Sequence, residues 1–390
     1  MTALLTRLLG RLPIGWLQLT HSRTRLFAAV AGVTFANILV FVQLGIMGAF
    51  GESVRMSYRT ISTDIVISAS DADTFIDGSN IPRQWLYRAL SVAGVDEAMP
   101  IYLGAMDWTQ PDGSEIVFQT FGIDPTRPQF LGDAIPDPRP LVQADSMLAD
   151  RAARGLDPEK LAAASPSNPI VIEAMGRQLS VIGTVSIGGG FSGDGYVVVS
   201  DQTFLRLFPG RNAGAPDHIL VNLAKGADAK QVIKDLKQIL PDEALRIRTL
   251  AQAIDEDVAY QSTERPTGLI FGFGTLIGIL VGIVIVYQVL STDVADHLRE
   301  YATFKAMGYS QSFLLSVVFE EAVFLALFGF VPGFGVSVFL YSFLNEATSL
   351  PVLMTPELAL MVFFGTLAAC AISGAIATRK LANADPADLF

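Results

Sequence analysis

Four long runs without a charged residue interrupt an otherwise mixed pattern of apolar and polar positions. They are residues 26–50, 267–292, 322–345 and 358–378. A helix needs about 20 apolar residues to cross the hydrocarbon core of a bilayer, and these runs are too long for buried helices of a water-soluble protein. The pattern predicts four transmembrane helices at 26–50, 267–292, 312–345 and 358–378. The first run is also longer than the apolar part of a signal peptide, so we interpret it as retained.

The block between the first two runs, residues 51–265, has the pattern of a mixed α/β domain. Alternation and short β-branched runs predict strands at 64–68, 97–108, 115–122, 169–173, 178–185, 196–200, 219–223 and 245–249. Pro82 opens a predicted helix that ends near Leu90. Val232 and Leu236 have helical spacing, and Pro241 stops that second helix. The order is strand–helix–strand early and again late, with a β-rich segment between.

Basic residues near the runs predict the orientation in the membrane, because cytoplasmic loops carry an excess of Lys and Arg. Those basic residues are Arg7, Arg11, Arg23, Arg25, Arg299, Lys305, Arg379 and Lys380. The short loop 346–357 has none. We therefore expect both termini, the loop 293–311 and the tail 379–390 in the cytoplasm, and the 51–265 block and the 346–357 loop outside.

The first 22 residues precede the first run and are predicted to form an amphipathic helix on the inner membrane surface. Leu4, Leu5, Leu8 and Leu12 fall on one helical face, with Arg7 and Arg11 off it, and Trp16 suits a membrane interface. A frayed terminus is the alternative.

Charge and cysteine content narrow the class of partner. The net charge is −11, and residues 51–265 hold 19 basic and 29 acidic residues, a net −10. An acidic external domain argues against nucleic acid or anionic lipid headgroups as its main partner. The one cysteine, Cys370, lies in the fourth run, so no disulfide can form within the chain.

No constellation in the sequence predicts an enzyme. No Gly-Lys pair exists for a phosphate-binding loop, and the glycine-rich run 188–195 leads into a strand, so we interpret it as a flexible hairpin tip. His21, His218 and His297 are scattered without metal spacing. Residues 255–257 are Asp-Glu-Asp. A cation site is one interpretation of this acidic run, and a solvent-exposed helix face is the simpler one. We expect no catalytic residue, cofactor or metal on this chain.

Small residues in the second run predict close helix packing. Their spacing is G-x-x-x-G, which lets another helix backbone approach closely, and the residues are Gly268, Gly272, Gly274, Gly278 and Gly282. Two interpretations of this spacing stay open: the glycines face another helix of the same chain, or they face a helix of a second copy. The ionisable residues closest to the third run, Glu320 and Glu321, precede its uncharged part, which argues against a proton-coupled transporter or an ion channel.

The loop between the second and third runs carries a family resemblance. Asp296–Met307 can form a short amphipathic helix that Gly308 ends, and a new helix then enters the membrane. The stretch REYATFKAMGYS at 299–310, the opening GWLQLTHSRTRLFAAVAGVTFANILVFVQLG at 15–45 and the tail DPADLF at 385–390 resemble FtsX-like permeases. That group includes MacB, FtsX and the lipoprotein-releasing permeases, and the similarity is greatest to the DevC-type exporter permeases.

The resemblance implies an architecture and a set of partners. The external domain would have a porter-like part at 51–108 and 214–265 and a β-rich insert at 109–213. The chain would form a homodimer in the bacterial inner membrane and bind a separate ABC ATPase, which holds ATP and Mg²⁺. A membrane-fusion adaptor and a TolC-like outer-membrane channel would complete an exporter of a lipid-like or amphiphilic substrate. The alternative is an FtsX-like signalling protein that activates an extracytoplasmic hydrolase.

The same resemblance makes the cytoplasmic loop the predicted ATPase-coupling site. Polar contacts would come from Arg299 and Glu300, and Met307 and Tyr309 would fill a groove on the ATPase. The complete predicted set is Leu298, Arg299, Glu300, Tyr301, Lys305, Met307, Gly308 and Tyr309.

Overall fold

The computed structural model describes residues 14–135 and 137–377 of the 390-residue chain. The helices are α1 Ile14–His21, α2 Arg23–Tyr58, α3 Gln84–Ala89, α4 Pro158–Ala162, α5 Asp201–Leu207, α6 Ala229–Ile239, α7 Leu250–Thr263, α8 Pro266–Asp296, α9 Leu298–Ala306, α10 Gln311–Thr348 and α11 Pro356–Ala377. The strands are β1 Ile65–Ala69, β2 Val95–Thr109, β3 Glu115–Ile123, β4 Ser146–Asp150, β5 Ile170–Ala174, β6 Arg177–Val185, β7 Gly195–Ser200, β8 His218–Leu223 and β9 Leu245–Thr249.

The described residues divide into two compact units. The helical unit comprises residues 14–48, 269–343 and 352–377. The sheet unit comprises residues 49–268 and 344–351.

Within the described residues, four helices are long and apolar enough to cross a membrane: α2, α8, α10 from Leu315, and α11. The predicted number of spans is thus confirmed. Helix α2 continues eight residues beyond the predicted end at Phe50, to Tyr58. The reason is that Glu52 and Arg55 end the apolar run but are good helix formers, so the charge pattern marks the end of the apolar run and not of the helix.

Helix α1 packs against α10 in the helical unit. The Trp16 ring lies 5.3 Å from that of Phe324 and 5.6 Å from that of Phe328, and Gly15 lies against the Val317 carbonyl. The predicted apolar face at Leu4–Leu12 and the predicted cytoplasmic tail lie outside the described residues. The described part of the N-terminal segment is helix α1, and it packs against side chains of the protein itself.

The sheet unit is built on one nine-stranded sheet with the order β5-β6-β4-β7-β3-β2-β8-β1-β9. At one end β8 separates β1 from β2, and β1 separates β8 from β9, all in antiparallel pairs. Two split β–α–β units, β1–α3–β2 and β8–α6–β9, therefore interleave. They bury a core in which Ile67, Leu86 and Leu236 are almost fully covered. The predicted Pro82 helix begins two residues later, at Gln84.

The β-rich insert is a continuation of this sheet and is not separated from it. Strand β2 pairs with β8 through Val95–Ile101 and with β3 through Tyr102–Thr109, so one 15-residue strand serves both parts. The predicted boundary between the porter-like part and the insert, at residue 109, therefore lies at the end of a strand that both parts share. Strand β2 changes its pairing partner from β8 to β3 near residue 101.

The glycine-rich run at 188–195 is not a hairpin tip. It links β6 to β7, but those strands do not pair, because β4 lies between them, parallel to β6 and antiparallel to β7. The buried carboxylate of Asp150 fixes the start of this crossover by accepting hydrogen bonds from the amides of Ile187 (3.1 Å) and Gly188 (2.8 Å). Strand β4 escaped the sequence pattern because its five residues are all buried, which removes the alternation of a half-exposed strand.

Candidate coupling surface

The turn between α9 and α10, residues 307–310, is a Schellman cap, and we call these four residues the elbow. The Gly308 amide donates to the Lys305 carbonyl (3.1 Å), and the Tyr309 amide donates to the Phe304 carbonyl (3.1 Å). These are the 5→2 and 6→1 hydrogen bonds of that motif. Gly308 has φ +92°, a conformation that glycine adopts without the steric cost of a Cβ atom. The direction in which the chain enters α10 is therefore fixed by local geometry.

Aromatic side chains hold the elbow together and leave two apolar groups exposed. The Tyr309 ring lies 5.5 Å from the Phe304 ring, edge-on, and 4.6 Å from the Phe313 ring. The contact between Tyr309 and Phe304 is the apolar pair that accompanies this cap. Met307 is nevertheless 61% exposed and Tyr309 46% exposed. A rigid turn that presents a Met and a Tyr side chain is suited to entering a groove on another protein.

Helix α9 is anchored to α1 through Tyr301. Its ring is almost fully buried beside Val294, Val317 and Val318, and burial raises the pKa of its phenol far above the usual value. The hydroxyl donates to Gln18 Oε1 (3.1 Å). Tyr301 therefore lies inside the helical unit, where it positions α9, and its place in the predicted coupling set stays a prediction.

The remaining predicted coupling residues lie on or beside α9. Glu300 is exposed and accepts a hydrogen bond from Gln18 Nε2 (3.3 Å), so Gln18 bridges two neighbouring residues of α9. Lys305 is half-buried in the last turn. Leu298 and Arg299 belong to α9 by their backbone.

Sequence reasoning missed Gln18, Phe304 and Phe313 as parts of this site. Phe304 could have been found, since a Schellman cap pairs the residue after the glycine with one in the helix that it ends. Gln18 had no signal, because its partners are 282 and 283 positions away in the chain.

The glycines of α8 have three different surroundings. A Cβ atom at Gly274, Gly278 or Gly282 would meet Gln43, Val40 or Ala36 of α2 at 2.5, 3.2 and 3.1 Å, so these three lie in a close α2–α8 contact. A Cβ atom at Gly272 would meet nothing within 4 Å, and one at Gly268 would meet the carbonyls of residues 261 and 262. The contact within the chain thus uses three of the five glycines.

The acidic run 255–257 of the sheet unit is divided between solvent and core. Asp255 and Glu256 are exposed, but Asp257 is fully buried. It accepts hydrogen bonds from the Tyr58 hydroxyl (2.5 Å), the Phe75 amide (2.7 Å) and Arg248 Nη1 (3.1 Å). Burial raises the pKa of this carboxyl. The solvated-face interpretation is therefore wrong for Asp257, which is a structural carboxylate.

His218 is also a core residue. Its Nε2 lies 2.6 Å from the Phe75 carbonyl, its ring stacks on that of Phe75, and burial lowers the pKa of its imidazole. In the part of the chain that the structure describes, no His, Cys, Asp and Glu side chains come together in a way that could hold a metal ion.

Comparison with known families decides the identity of the chain. Residues 26–239 match the MacB-like periplasmic core domain, and residues 272–386 match the FtsX-like permease C-terminal domain. The chain belongs to the MacB/FtsX-like permease superfamily. The elbow and α9 lie within the second match, and most of the nine-stranded sheet lies within the first.

Two solved structures similar to this permease are external domains. One is the extracellular domain of the noncanonic ABC-type transporter YknZ from Gram-positive bacteria, at 15% identity and TM-score 0.34, which covers 48% of this chain and 98% of that one. Another is the periplasmic region of MacB from Actinobacillus actinomycetemcomitans, at 14% identity and TM-score 0.34, with coverage of 55% and 99%. No curated protein matches the chain.

Membership in the superfamily establishes the general role. With its four apolar helices the permease is an inner-membrane protein, and it serves an ABC-type transporter or a related system. Members of the superfamily are generally non-catalytic and work with an ABC ATPase.

Proposed function

We propose that this permease transmits ATP-driven motion from a separate cytoplasmic ATPase to its sheet unit in the periplasm, and so drives export of a lipid-like or amphiphilic substrate. The observation that supports the proposal best is the elbow, a Schellman cap that holds Met307 and Tyr309 exposed between two helices. A transmitter needs a stiff contact point, because a flexible loop would absorb the displacement.

The remaining assignments follow from the proposed role. Both termini and the elbow face the cytoplasm, and the sheet unit and the 349–355 loop face the periplasm. The permease works as a homodimer of the DevC type, with a membrane-fusion adaptor and a TolC-like outer-membrane channel. ATP and Mg²⁺ bind the partner ATPase. Family membership supports these assignments, and the basic residues of the N-terminal and 293–311 segments support the orientation.

The test is co-purification of the cognate ATPase with elbow variants of the full-length permease. We expect Met307→Asp to lower ATPase recovery about tenfold or more, since a charge placed at an apolar contact must be desolvated. Leu353→Asp is the matched control, because Leu353 is a similarly exposed apolar residue (54%) outside the elbow and α9. Equal ATPase recovery with the two variants would reject the elbow as the docking point.

A second experiment separates export from signalling. Cross-linking in intact cells through the sheet unit should capture a periplasmic adaptor if the permease exports. Capture of a cell-wall hydrolase in place of an adaptor would support the FtsX-like alternative.

A further inference from the structure

Helices α3 and α6 lie side by side on one face of the sheet, at its β8-β1-β9 end. The same core holds both helices, and α3 contributes Leu86 to it while α6 contributes Val232 and Leu236. Their opposite sides are exposed to solvent. We call the exposed side chains of residues 84–90 and 225–239 the lysine face.

The lysine face is basic although the sheet unit as a whole is acidic. The segment 51–265 contains five lysines, and four of them belong to this face and are exposed: Lys225, Lys230, Lys234 and Lys237. Residues 84–90 and 225–239 together hold five basic and two acidic residues, a net +3, in a segment whose net charge is −10. Positive charge is therefore gathered on one outer surface of the unit.

Three of these lysines form one stripe along α6. Lys230, Lys234 and Lys237 are four and three positions apart, which places them on the same side of the helix, away from its buried residues. Lys237 pairs with the exposed Asp242 (3.4 Å). Lys230 and Lys234 form no ion pair with any residue that the structure describes, so both cations are available to a partner.

The two acidic residues of the face have hydrogen-bond partners of their own. Asp228 is the N-cap of α6 and accepts a hydrogen bond from the Lys230 amide (3.0 Å). Asp235 is half-buried and accepts a hydrogen bond from Gln231 Nε2 (2.8 Å). Neither carboxylate pairs with a lysine side chain of the stripe.

Helix α3 adds aromatic and apolar groups to this basic surface. Tyr87 is 63% exposed and Leu90 is 40% exposed, and the Arg88 guanidinium lies over the Trp85 ring at 4.7 Å. Tyr, Trp and Arg are the residue types that contribute most often to the strongest contacts of protein–protein interfaces. The two helices therefore present a group of anchoring side chains beside a stripe of cations.

We infer that the lysine face binds an acidic surface of another water-soluble protein, and that this protein is the periplasmic adaptor of the exporter. The identity of the partner rests on the proposed function. The lysines attract the acidic surface before contact, because complementary charge steers the encounter of two proteins. Tyr87 then anchors the complex once the surfaces meet.

Two other occupants fit this face less well. A second copy related by two-fold symmetry would present the same patch on both sides of the contact, so lysine would face lysine. An anionic membrane surface would meet the sheet unit as a whole, and the net −10 of residues 51–265 opposes that approach. An acidic protein surface avoids both penalties, because it can match the lysine face locally.

The test is surface plasmon resonance of the immobilised full-length permease with the full-length adaptor that cross-linking in intact cells captures. The double variant Lys230→Glu/Lys234→Glu should slow association about tenfold, because charges at the rim of an interface govern the rate of encounter. Tyr87→Ala should speed dissociation about tenfold and leave association within about twofold, as truncation of an anchoring side chain does. Binding to the wild type should weaken about tenfold between about 0.05 M and 0.5 M salt, which screens exposed charges.

The controls make the same kinds of change in the insert, at the other end of the sheet. Lys160→Glu/Arg177→Glu reverses two exposed charges, and Val171→Ala truncates a side chain that is 60% exposed. Both should bind the adaptor like the wild type. The salt dependence needs no variant, so the inference stays testable if the double reversal in α6 fails to fold.

Three results would overturn the inference and leave the exporter proposal in place, because the adaptor would still bind. One is equal slowing by the two double reversals, and another is wild-type binding that salt does not weaken. The third is a double reversal in α6 that spares adaptor binding but removes binding to phosphatidylglycerol vesicles, which would assign the face to lipid. A wild type that binds no adaptor at all would overturn both proposals.

Discussion

Asp257 connects several segments of the sheet unit. Its carboxylate accepts from Tyr58 at the end of α2, from the backbone of Phe75 and from Arg248 of β9. Arg248 is itself 7% exposed and also contacts Glu256. A buried charge pair with this many hydrogen bonds contributes little net stability compared with an apolar pair, but breaking it leaves the partner charge buried and unpaired.

We therefore predict that Asp257→Asn destabilises the full-length permease by about 3–5 kcal/mol, the cost of an uncompensated buried charge. The measurement is denaturant unfolding in detergent, followed through a signal of the sheet unit. Asp255→Asn is the control, because Asp255 is exposed two residues earlier in the same helix. A loss of stability as small for Asp257→Asn as for the control would show that the network is dispensable.

At the scale of elements, the contact between α2 and α8 depends on small residues at regular spacing. Gly278 and Gly282 let α8 approach Val40 and Ala36 closely. Within a bilayer such contacts supply van der Waals attraction, because there is no hydrophobic force between apolar helices in lipid. Gly272, on the same helix, has open space around it, so the helix carries both a packed and an unpacked glycine.

The pair supplies a matched test of helix packing. Gly278→Leu should force α8 away from α2 and destabilise the permease by about 1–3 kcal/mol, as expected for overpacking. Gly272→Leu should leave stability within about 0.5 kcal/mol of the wild type, as for a site without close neighbours. Thermal unfolding of the two variants, monitored by loss of the monodisperse peak in size-exclusion chromatography, makes the comparison. Equal loss in both variants would show that the Gly278 contact is not specific.

At the scale of the whole molecule, charge and hydropathy are sharply divided. Residues 51–265 carry a net −10 of the total −11, and all the other residues together carry −1. Helix α8 is the least buried of the four, so most of its apolar surface is free for lipid or a second copy. An acidic sheet unit and four helices with long uncharged runs agree with the proposed arrangement, in which the helices cross the membrane and the sheet unit lies in the periplasm.

Labelling of single cysteines can test that arrangement directly, because Cys370 is the one native cysteine and is buried. In a Cys370→Ala background, a membrane-impermeant maleimide should label the Lys230→Cys variant in intact spheroplasts. It should label the Lys305→Cys variant only after the membrane is permeabilised. Labelling of both variants, or of neither, in intact spheroplasts would contradict the proposed topology and with it the assignment of the elbow to the ATPase.

The sequence by itself determined the features that depend on neighbouring residues. Runs of apolar residues predicted the four spans, alternation predicted strands such as β8, and Gly308 predicted the end of α9. Each is a local pattern that reports one helix or strand at a time. Even so, the end of α2 was placed eight residues early, because charge ends an apolar run without ending a helix.

Only the tertiary structure decided which distant residues meet. It showed that β2 serves both parts of the sheet, that β4 separates β6 from β7, and that Asp257 is buried although its neighbours in the chain are exposed. It also joined Gln18 to Tyr301. The physical reason is that pairing and burial depend on segments far apart in the chain, and local periodicity carries no information about which of them will pack together.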